Sequence, residues 1–223
     1  MREYKALNQE NRVVWIPSGS VLLEGELSIP EIATGLVLFA YGSGSSRHSP
    51  RNQYVARIIR EAGVGTLLFD LLTPGEEAMD AATRHFRFDI SLLTRRLMQT
   101  TAWIRTQEDT RHLRVGYFGT STGAAAAFVA AADIEDIGAI VSRGGRPDFA
   151  GAALLRIKSP SLLIVGERDE AVLRLNEDSY AHLRCEKEMK IVRGANHLFE
   201  EPGTLETVAR HAAEWFRKHL QPG

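Results

Sequence analysis

The chain has 223 residues, of which 44% are hydrophobic and 25% are charged, a composition typical of a folded globular protein. Its 27 lysine and arginine residues against 28 aspartate and glutamate residues leave a net charge of -1, without the basic excess of most nucleic-acid-binding proteins. The one cysteine, Cys185, excludes an intrachain disulfide and a multi-cysteine metal site. We therefore expect neither a nucleic-acid partner nor a bound metal.

The sequence contains no segment typical of export or membrane insertion. Residues 1–15 are charged and polar and lack the apolar core of a signal peptide. The longest apolar run, residues 124–132, is far shorter than the roughly 20 residues that span a bilayer. The sequence thus predicts one cytoplasmic domain over residues 1–223 without a membrane partner, and it leaves monomer and homodimer both open.

Apolar runs separated by turn residues predict eight strands. The first two flank a Ser18-Gly19-Ser20 turn and are expected to form an antiparallel hairpin at a sheet edge. The later runs show little polar alternation, which is typical of parallel strands covered on both faces. The predicted strands are 12–17, 21–29, 35–40, 65–69, 114–118, 138–141, 161–165 and 187–192.

Amphipathic patterns between these runs predict helices on both faces of the sheet. The predicted helices are 51–62, 82–107, 121–132, 172–183 and 205–220, with one short helix at 148–155. This alternation predicts a mostly parallel α/β sheet. The segment 141–161, with its one short helix, leaves room for a minimal cap or none. Functional residues of such sheets follow the carboxyl ends of the strands.

The strand 114–118 is followed by a G-x-S-x-G motif, in which Ser121 is the central residue. Such a motif holds a nucleophilic serine on a tight strand-to-helix turn, and the turn needs residues without a Cβ two positions away on either side. Gly119 and Gly123 meet that need. The alternative is a glycine-rich turn in which Ser121 only caps the helix.

A serine nucleophile needs a general base, and the base needs an orienting group. His197 lies just past the strand 187–192, and Asp169 just past the strand 161–165. Taken singly, these residues could be a solvated histidine and a turn-forming aspartate. Their chain order, Ser121 then Asp169 then His197, is that of the α/β-hydrolase arrangement and favours a catalytic triad.

The third strand is followed by the glycine-rich loop 41–46, which predicts an oxyanion hole. We expect the two donors to be the backbone N–H groups of Thr122 and Ser43. A phosphate-binding loop is the alternative, but Arg47 occupies the third glycine position of G-x-G-x-x-G and no Walker lysine follows.

These motifs together resemble the α/β-hydrolase superfamily, and most closely its dienelactone hydrolase-like family. The resemblance covers nearly the whole chain and is carried by GSGSSRHSPRN, FDLLTPGEE, GYFGTSTGAAAA, SRGGRPD, VGERDE and GANHLFEEPG. It implies an eight-stranded sheet and a triad of Ser121, Asp169 and His197. The chain departs from the family in two places: Ser121 stands where dienelactone hydrolases use cysteine, and Tyr41 stands where many relatives have histidine.

Three side chains near the predicted site are candidates for binding substrate: Arg143, Arg47 and Tyr41. Arg143 and Arg146 follow a strand end and could hold a carboxylate or phosphate in a bidentate manner. The alternative is a solvated loop whose arginines form surface ion pairs.

The sequence therefore predicts a serine hydrolase that needs no cofactor and acts on a small-molecule ester or lactone. Two alternatives remain open at this point: a non-catalytic binding protein with the hydrolase fold, and a peptidase or acyltransferase that uses the same triad.

Overall fold

The computed structural model describes residues 10–42 and 45–221. The strands in these residues are β1 Glu10–Ser18, β2 Val21–Ile29, β3 Gly35–Ala40, β4 Gly65–Phe69, β5 Arg114–Thr120, β6 Ile137–Arg143, β7 Ser161–Gly166 and β8 Lys187–Val192. They form one sheet in the spatial order β1-β2-β4-β3-β5-β6-β7-β8. The β1–β2 and β2–β4 pairs are antiparallel, and all later pairs are parallel. The predicted mostly parallel sheet with an amino-terminal hairpin is confirmed.

Helices cover both faces of this sheet. They are α1 Pro50–Glu61, α2 Pro74–Thr83, α3 Ile90–Ile104, α4 Thr122–Asp133, α5 Glu170–His182 and α6 Thr204–His219. Alternate residues of β3 enter two different hydrophobic clusters: Leu38 packs in the cluster that includes Phe128 of α4, and Phe39 in the one that includes Phe216 of α6. The continuous apolar pattern of the strand is therefore the consequence of burial on both sides.

The predicted helix 82–107 is wrong in its amino-terminal part. The structure ends α2 at Thr83, where Arg84 adopts a left-handed φ of 56°, and begins α3 at Ile90. The Asp89 carboxylate accepts a hydrogen bond of 2.9 Å from the Leu92 N–H and so caps α3. The hydrophobic periodicity continues across this break, whereas the helix boundary is set by the cap and the left-handed residue.

The link between β6 and β7 is short and adds no cap domain. The predicted helix 148–155 is a 3₁₀ segment, Pro147–Arg156, which is interrupted at Gly151 with a φ of 53°. The carboxyl ends of the central strands are therefore not covered by an inserted helical layer here. Among the helices of the described residues, none combines the length and the apolarity that crossing a membrane requires.

Candidate active site

Ser121 lies at a sharp turn between β5 and α4, where the backbone is strained. Its φ of 50° and ψ of -129° are rare for a residue with a side chain, and such strain costs of the order of 1–3 kcal/mol. A Cβ on Gly119 would lie 2.4 Å from Ala124 Cα, and one on Gly123 would lie 2.2 Å from the Ala40 carbonyl oxygen. The G-x-S-x-G spacing is therefore a steric requirement of this turn.

Asp169 and His197 follow the neighbouring strands β7 and β8, and their side chains meet at the carboxyl edge of the sheet. His197 Nδ1 lies 2.6 Å from Asp169 Oδ2, so a proton on Nδ1 is donated to the carboxylate. The Asp169 side chain is 13% exposed and that of His197 is 43% exposed. In the neutral ring this arrangement leaves the lone pair of Nε2 available to accept a proton.

The two loops that carry this pair are bound to each other. The Arg168 N–H donates to the Ala195 carbonyl at 2.9 Å, and the Gly194 N–H donates to Glu167 Oε2 at 2.7 Å. A Cβ on Gly166 would lie 2.5 Å from the Ala195 carbonyl oxygen, so the loops approach each other too closely for any other residue there. The relative position of the acid and the imidazole is thus fixed largely by backbone contacts.

Asn196 fixes the local turn that presents His197. Its Oδ1 accepts hydrogen bonds from the Leu198 N–H at 2.8 Å and the Phe199 N–H at 3.1 Å. Its own N–H donates to the Glu201 carboxylate at 3.1 Å. An asparagine in such a turn satisfies donors that would otherwise remain unpaired, and here it holds the imidazole-bearing residue from both sides.

The loop after β6 contacts both Ser121 and His197. The Arg146 N–H donates to the Ser121 carbonyl at 2.9 Å, and a Cβ on Gly144 would lie 3.5 Å from the His197 ring. Within the part of the chain that the structure describes, the Ser121 hydroxyl forms no hydrogen bond with the His197 ring. Such bonds are commonly long before substrate binds and tighten in the reacting complex.

The predicted oxyanion donors, Thr122 and Ser43, belong to two different segments of the chain. Thr122 is the first residue of α4, and its N–H belongs to the first turn, where no intrahelical acceptor exists. Ser43 lies outside the described residues. Its neighbour Gly42 is in close contact with the Ser121 turn, because a Cβ on Gly42 would lie 3.0 Å from Thr122 Oγ1 and 3.4 Å from Ser121 Oγ.

Asp70, directly after β4, holds the two ends of the loop 41–47. Its Oδ1 accepts hydrogen bonds from the Tyr41 hydroxyl at 3.0 Å and from the Arg47 N–H at 2.9 Å. The Arg47 guanidinium pairs with Asp70 and also with Glu24 of β2, the latter at 2.6 Å. Burial and the neighbouring Asp70 raise the pKa of Tyr41 well above its ordinary value, so its hydroxyl remains a neutral donor. We call Glu24, Tyr41, Arg47 and Asp70 the loop clamp.

The sequence indicated Tyr41 and Arg47 as candidate site residues but not their pairing with Asp70 and Glu24 in the loop clamp. The available signal was the position of Asp70 at the carboxyl end of a strand, where functional residues of parallel sheets collect. Nothing in the local sequence pairs it with residues 24 and 47, which become neighbours only when β2, β3 and β4 align.

The two arginines at and just after the end of β6 have different environments. Arg143 is the last residue of β6, and its side chain is buried with the guanidinium 5.9 Å from the Phe118 ring centre. Among the described residues its Nη1 has no hydrogen-bond partner. Burial, with a smaller contribution from Arg51, lowers the pKa of Arg143 to about 10. Arg146 forms a bidentate pair with Asp148 at 2.7 and 2.8 Å. The solvated-loop alternative therefore describes Arg146 but not Arg143.

A cavity of about 430 Å³ opens beside Gly42, between the hairpin, the end of β4 and the start of α2. Its size lies in the range of small-molecule sites. Gly42 both lines this cavity and lies against Ser121, so it connects the cavity to the Ser121 turn. The lining residues are Trp15, Leu22, Leu23, Glu24, Tyr41, Gly42, Ser45, Ser46, Arg47, Asp70, Leu71, Leu72, Thr73, Pro74, Glu77 and Leu93.

A metal centre has no counterpart in the described side chains. Across residues 10–42 and 45–221, no group of three or more histidine, cysteine, aspartate or glutamate side chains is arranged to hold a metal ion.

Comparison with known proteins identifies close relatives. The model of the dienelactone hydrolase family matches residues 61–221. The crystal structure of a dienelactone hydrolase from Anabaena variabilis shares 54% identity with this chain, covers 96% of it and 99% of that protein, and superposes with a TM-score of 0.93. Est1E from Butyrivibrio proteoclasticus superposes with a TM-score of 0.77 at 14% identity, over 93% of this chain and 98% of that one. Similarity of that second kind concerns the fold alone.

A curated relative from Mycobacterium tuberculosis carries a different name. This protein, provisionally named a phosphoribosyl transferase, is 54% identical over 208 residues. The alignment covers 93% of this chain but 46% of the relative, so the chain spans about half the length of the curated relatives it matches. The transferase name describes that longer protein as a whole.

Proposed function

Because the chain belongs to the dienelactone hydrolase family, we propose that it is a serine hydrolase that cleaves a carboxylic ester or lactone through an acyl-enzyme on Ser121. The Asp169–His197 hydrogen bond, at the same sheet edge as the strained Ser121 turn, is the observation that supports this proposal most. Ester cleavage by this chemistry requires a nucleophile, a general base and a group that orients the base. We assign these roles to Ser121, His197 and Asp169.

In the proposed reaction Ser121 Oγ attacks the ester carbonyl while His197 Nε2 takes the hydroxyl proton. The tetrahedral intermediate collapses, its bond to the leaving alcohol breaks, and His197 gives the proton to that alcohol. Water then attacks the acyl-enzyme, with His197 again taking a proton, and the carboxylic acid leaves as Ser121 regains its hydrogen. Asp169 holds the ring in the required tautomer and stabilises the imidazolium.

The negative charge on the carbonyl oxygen needs donors in place before the reaction. We assign this role to the backbone N–H of Thr122, at the positive end of α4, and to that of Ser43. Removing one such donor typically costs about 3 kcal/mol in the transition state. The loop clamp supports this role because it holds both ends of the loop that contains the second donor.

The proposal is tested by covalent labelling and by turnover of an activated ester. Wild-type protein is expected to form one fluorophosphonate adduct, on Ser121, and to hydrolyse p-nitrophenyl acetate. Ser121→Ala is expected to lose the adduct and about a hundredfold or more in kcat. The matched control is Ser91→Ala, an exposed serine on α3, which should keep both.

Two outcomes would overturn the assignment. If the wild-type protein forms no adduct, it is a binding protein with this fold rather than a serine hydrolase. If Ser121→Ala keeps its turnover, another residue is the nucleophile. His197→Ala and Asp169→Asn should each lower kcat with little change in circular dichroism, since both side chains lie on exposed or partly exposed loops.

A further inference from the structure

Gly42 connects the cavity to the turn that carries the proposed nucleophile. Gly42 lines the cavity, and the position of a Cβ on it would lie 3.4 Å from Ser121 Oγ. Because Gly42 lies in neither a helix nor a strand, we expect a group attached to a carbonyl carbon at Ser121 to be directed along this loop towards the cavity. Since the link between β6 and β7 adds no cap, this cavity is a concave surface available to such a group.

The wall of the cavity is mainly apolar. The apolar side chains that line it come from the hairpin, from the segment after β4 and from α3; they are Trp15, Leu22, Leu23, Leu71, Leu72, Pro74 and Leu93. Trp15 is 57% exposed and Leu22 is 58% exposed, so these two form the outer rim. Filling the cavity with a hydrocarbon group would remove apolar surface from water, which is favourable by about 25 cal/mol per Å².

The charged residues of the wall do not form an anion site. Arg47 is its one cation among the described lining residues, and its guanidinium is held by Glu24 and Asp70. Two carboxylates share this one guanidinium, so the formal charge of the Glu24–Arg47–Asp70 group is negative and a substrate carboxylate would meet repulsion there.

We propose that this cavity is the subsite for an uncharged apolar substituent of the ester, of the size of an aromatic ring or a medium-length alkyl chain, and that its acidic wall disfavours substrates that carry a carboxylate there. This inference rests on the proposed hydrolase function. It gives Arg47 and Tyr41 a different part from the one expected from the sequence: they are held by carboxylates of this chain, shape the wall and do not bind an anionic group of the substrate.

The test compares substrates that differ only in the proposed feature. The acyl series compares kcat/KM for p-nitrophenyl octanoate with that for p-nitrophenyl acetate. The alcohol series compares kcat/KM for phenylethyl acetate with that for ethyl acetate. The charge series compares kcat/KM for p-nitrophenyl hexanoate with that for the p-nitrophenyl monoester of adipic acid, which adds a terminal carboxylate. We expect wild type to prefer the larger group at least tenfold in the acyl series or in the alcohol series. In the charge series we expect it to prefer the hexanoate at least tenfold.

Variants of the exposed rim connect these ratios to the cavity without disturbing the core. Leu22→Trp narrows the mouth, and we expect it to lower the preference for the larger group at least fivefold. The matched control is Val13→Ala, because Val13 is 62% exposed on the same face of the hairpin but does not line the cavity. Its ratios should remain within twofold of wild type.

A charge variant tests the acidic wall separately. Glu24→Gln removes one of the two carboxylates that hold Arg47. We expect the discrimination against the adipic monoester to fall at least threefold, while the preference for octanoate over acetate stays within twofold. Unchanged discrimination in this variant would show that the wall charge does not select the substrate.

Fluorophosphonate labelling separates a failure of this inference from a failure of the proposed function. Without an adduct on Ser121, the function itself is wrong. With the adduct, the cavity proposal is overturned if wild type lacks the size preference, if it prefers the carboxylate-bearing ester, or if Leu22→Trp leaves the ratios as they are.

Discussion

The close contact of Gly42 with Ser121 makes Gly42→Ala the sharpest probe of the candidate site. A methyl group there would lie 3.0 Å from Thr122 Oγ1, 3.2 Å from Ser121 Cβ and 3.4 Å from Ser121 Oγ. These contacts are a few tenths of an ångström too short, so the loop or the Ser121 side chain must move. The backbone of Gly42 is not among the positive-φ glycines, so the conformation itself suits alanine.

The size of the effect follows from which atoms are displaced. Overpacking of this kind typically costs about 1–3 kcal/mol, and the small overlap places Gly42→Ala near the lower end. A protein of this size loses roughly 2–4 °C in Tm per kcal/mol. Catalysis is more sensitive, because misplacing reacting atoms by about 1 Å can cost a hundredfold. We expect kcat/KM for p-nitrophenyl acetate to fall by about 10- to 100-fold while Tm falls by only a few degrees.

Gly75→Ala is the matched control, since Gly75 lies in α2 and a Cβ there has nothing within 4 Å. Its kcat/KM should equal that of wild type, and its Tm should stay the same or rise slightly because alanine favours the helix. The measurements are steady-state kinetics and a thermal melt on the three proteins. A Gly42→Ala protein with kcat/KM within twofold of wild type would refute the proximity of this loop to the reacting atoms.

Two further variants test contacts around the site. Asp70→Asn removes the charge that pairs with Arg47 and loosens the loop clamp; we expect kcat for p-nitrophenyl acetate to fall about fivefold or more with a smaller change in KM, and an equal change in both would contradict a positioning role. Glu76 caps α2 and pairs with Arg96 at 2.6 Å, which lowers the pKa of the carboxyl from 4.5 to about 2. Its ionised form therefore stabilises the fold fully above pH 4.5, and that contribution is lost as the pH falls towards 2. Urea unfolding of Glu76→Gln should show a loss of about 1–2 kcal/mol at pH 7, allowing for solvent screening, that shrinks towards zero below pH 3.

The strands and the Ser121 turn could be predicted from the sequence because both depend on local chemistry. A buried parallel strand needs a continuous apolar run, and the Ser121 turn needs glycine at two fixed positions. Strand ends were less predictable: β6 extends to Arg143, two residues beyond the predicted end at 141, because it keeps pairing with β5 as far as Thr120. The polar residues at that end gave no sign that the pairing continues.

The burial of Arg143 could not be predicted either, because it also depends on how far β6 pairs with β5. An arginine after an apolar strand is usually exposed, because burying an unpaired charge is costly. Here the extended pairing places its side chain against Phe118, inside the face that α1 and α6 cover. Such an outcome depends on the register of two strands, which no local pattern encodes.

The positions of the residues in the candidate site are fixed by close backbone contacts more than by side-chain packing. A Cβ on Gly42, Gly119 or Gly123 would lie 2.2–3.4 Å from atoms of the Ser121 turn or of the neighbouring chain at residues 40–41. Such contacts allow little movement of the backbone, so the Ser121 turn and the chain from Ala40 to Gly42 are fixed relative to each other before a substrate binds. Glycine spacing is visible in a sequence, which is why the Ser121 turn could be predicted from it. The loop clamp acts across three strands through charges whose pairing only the fold creates, and so it required the structure.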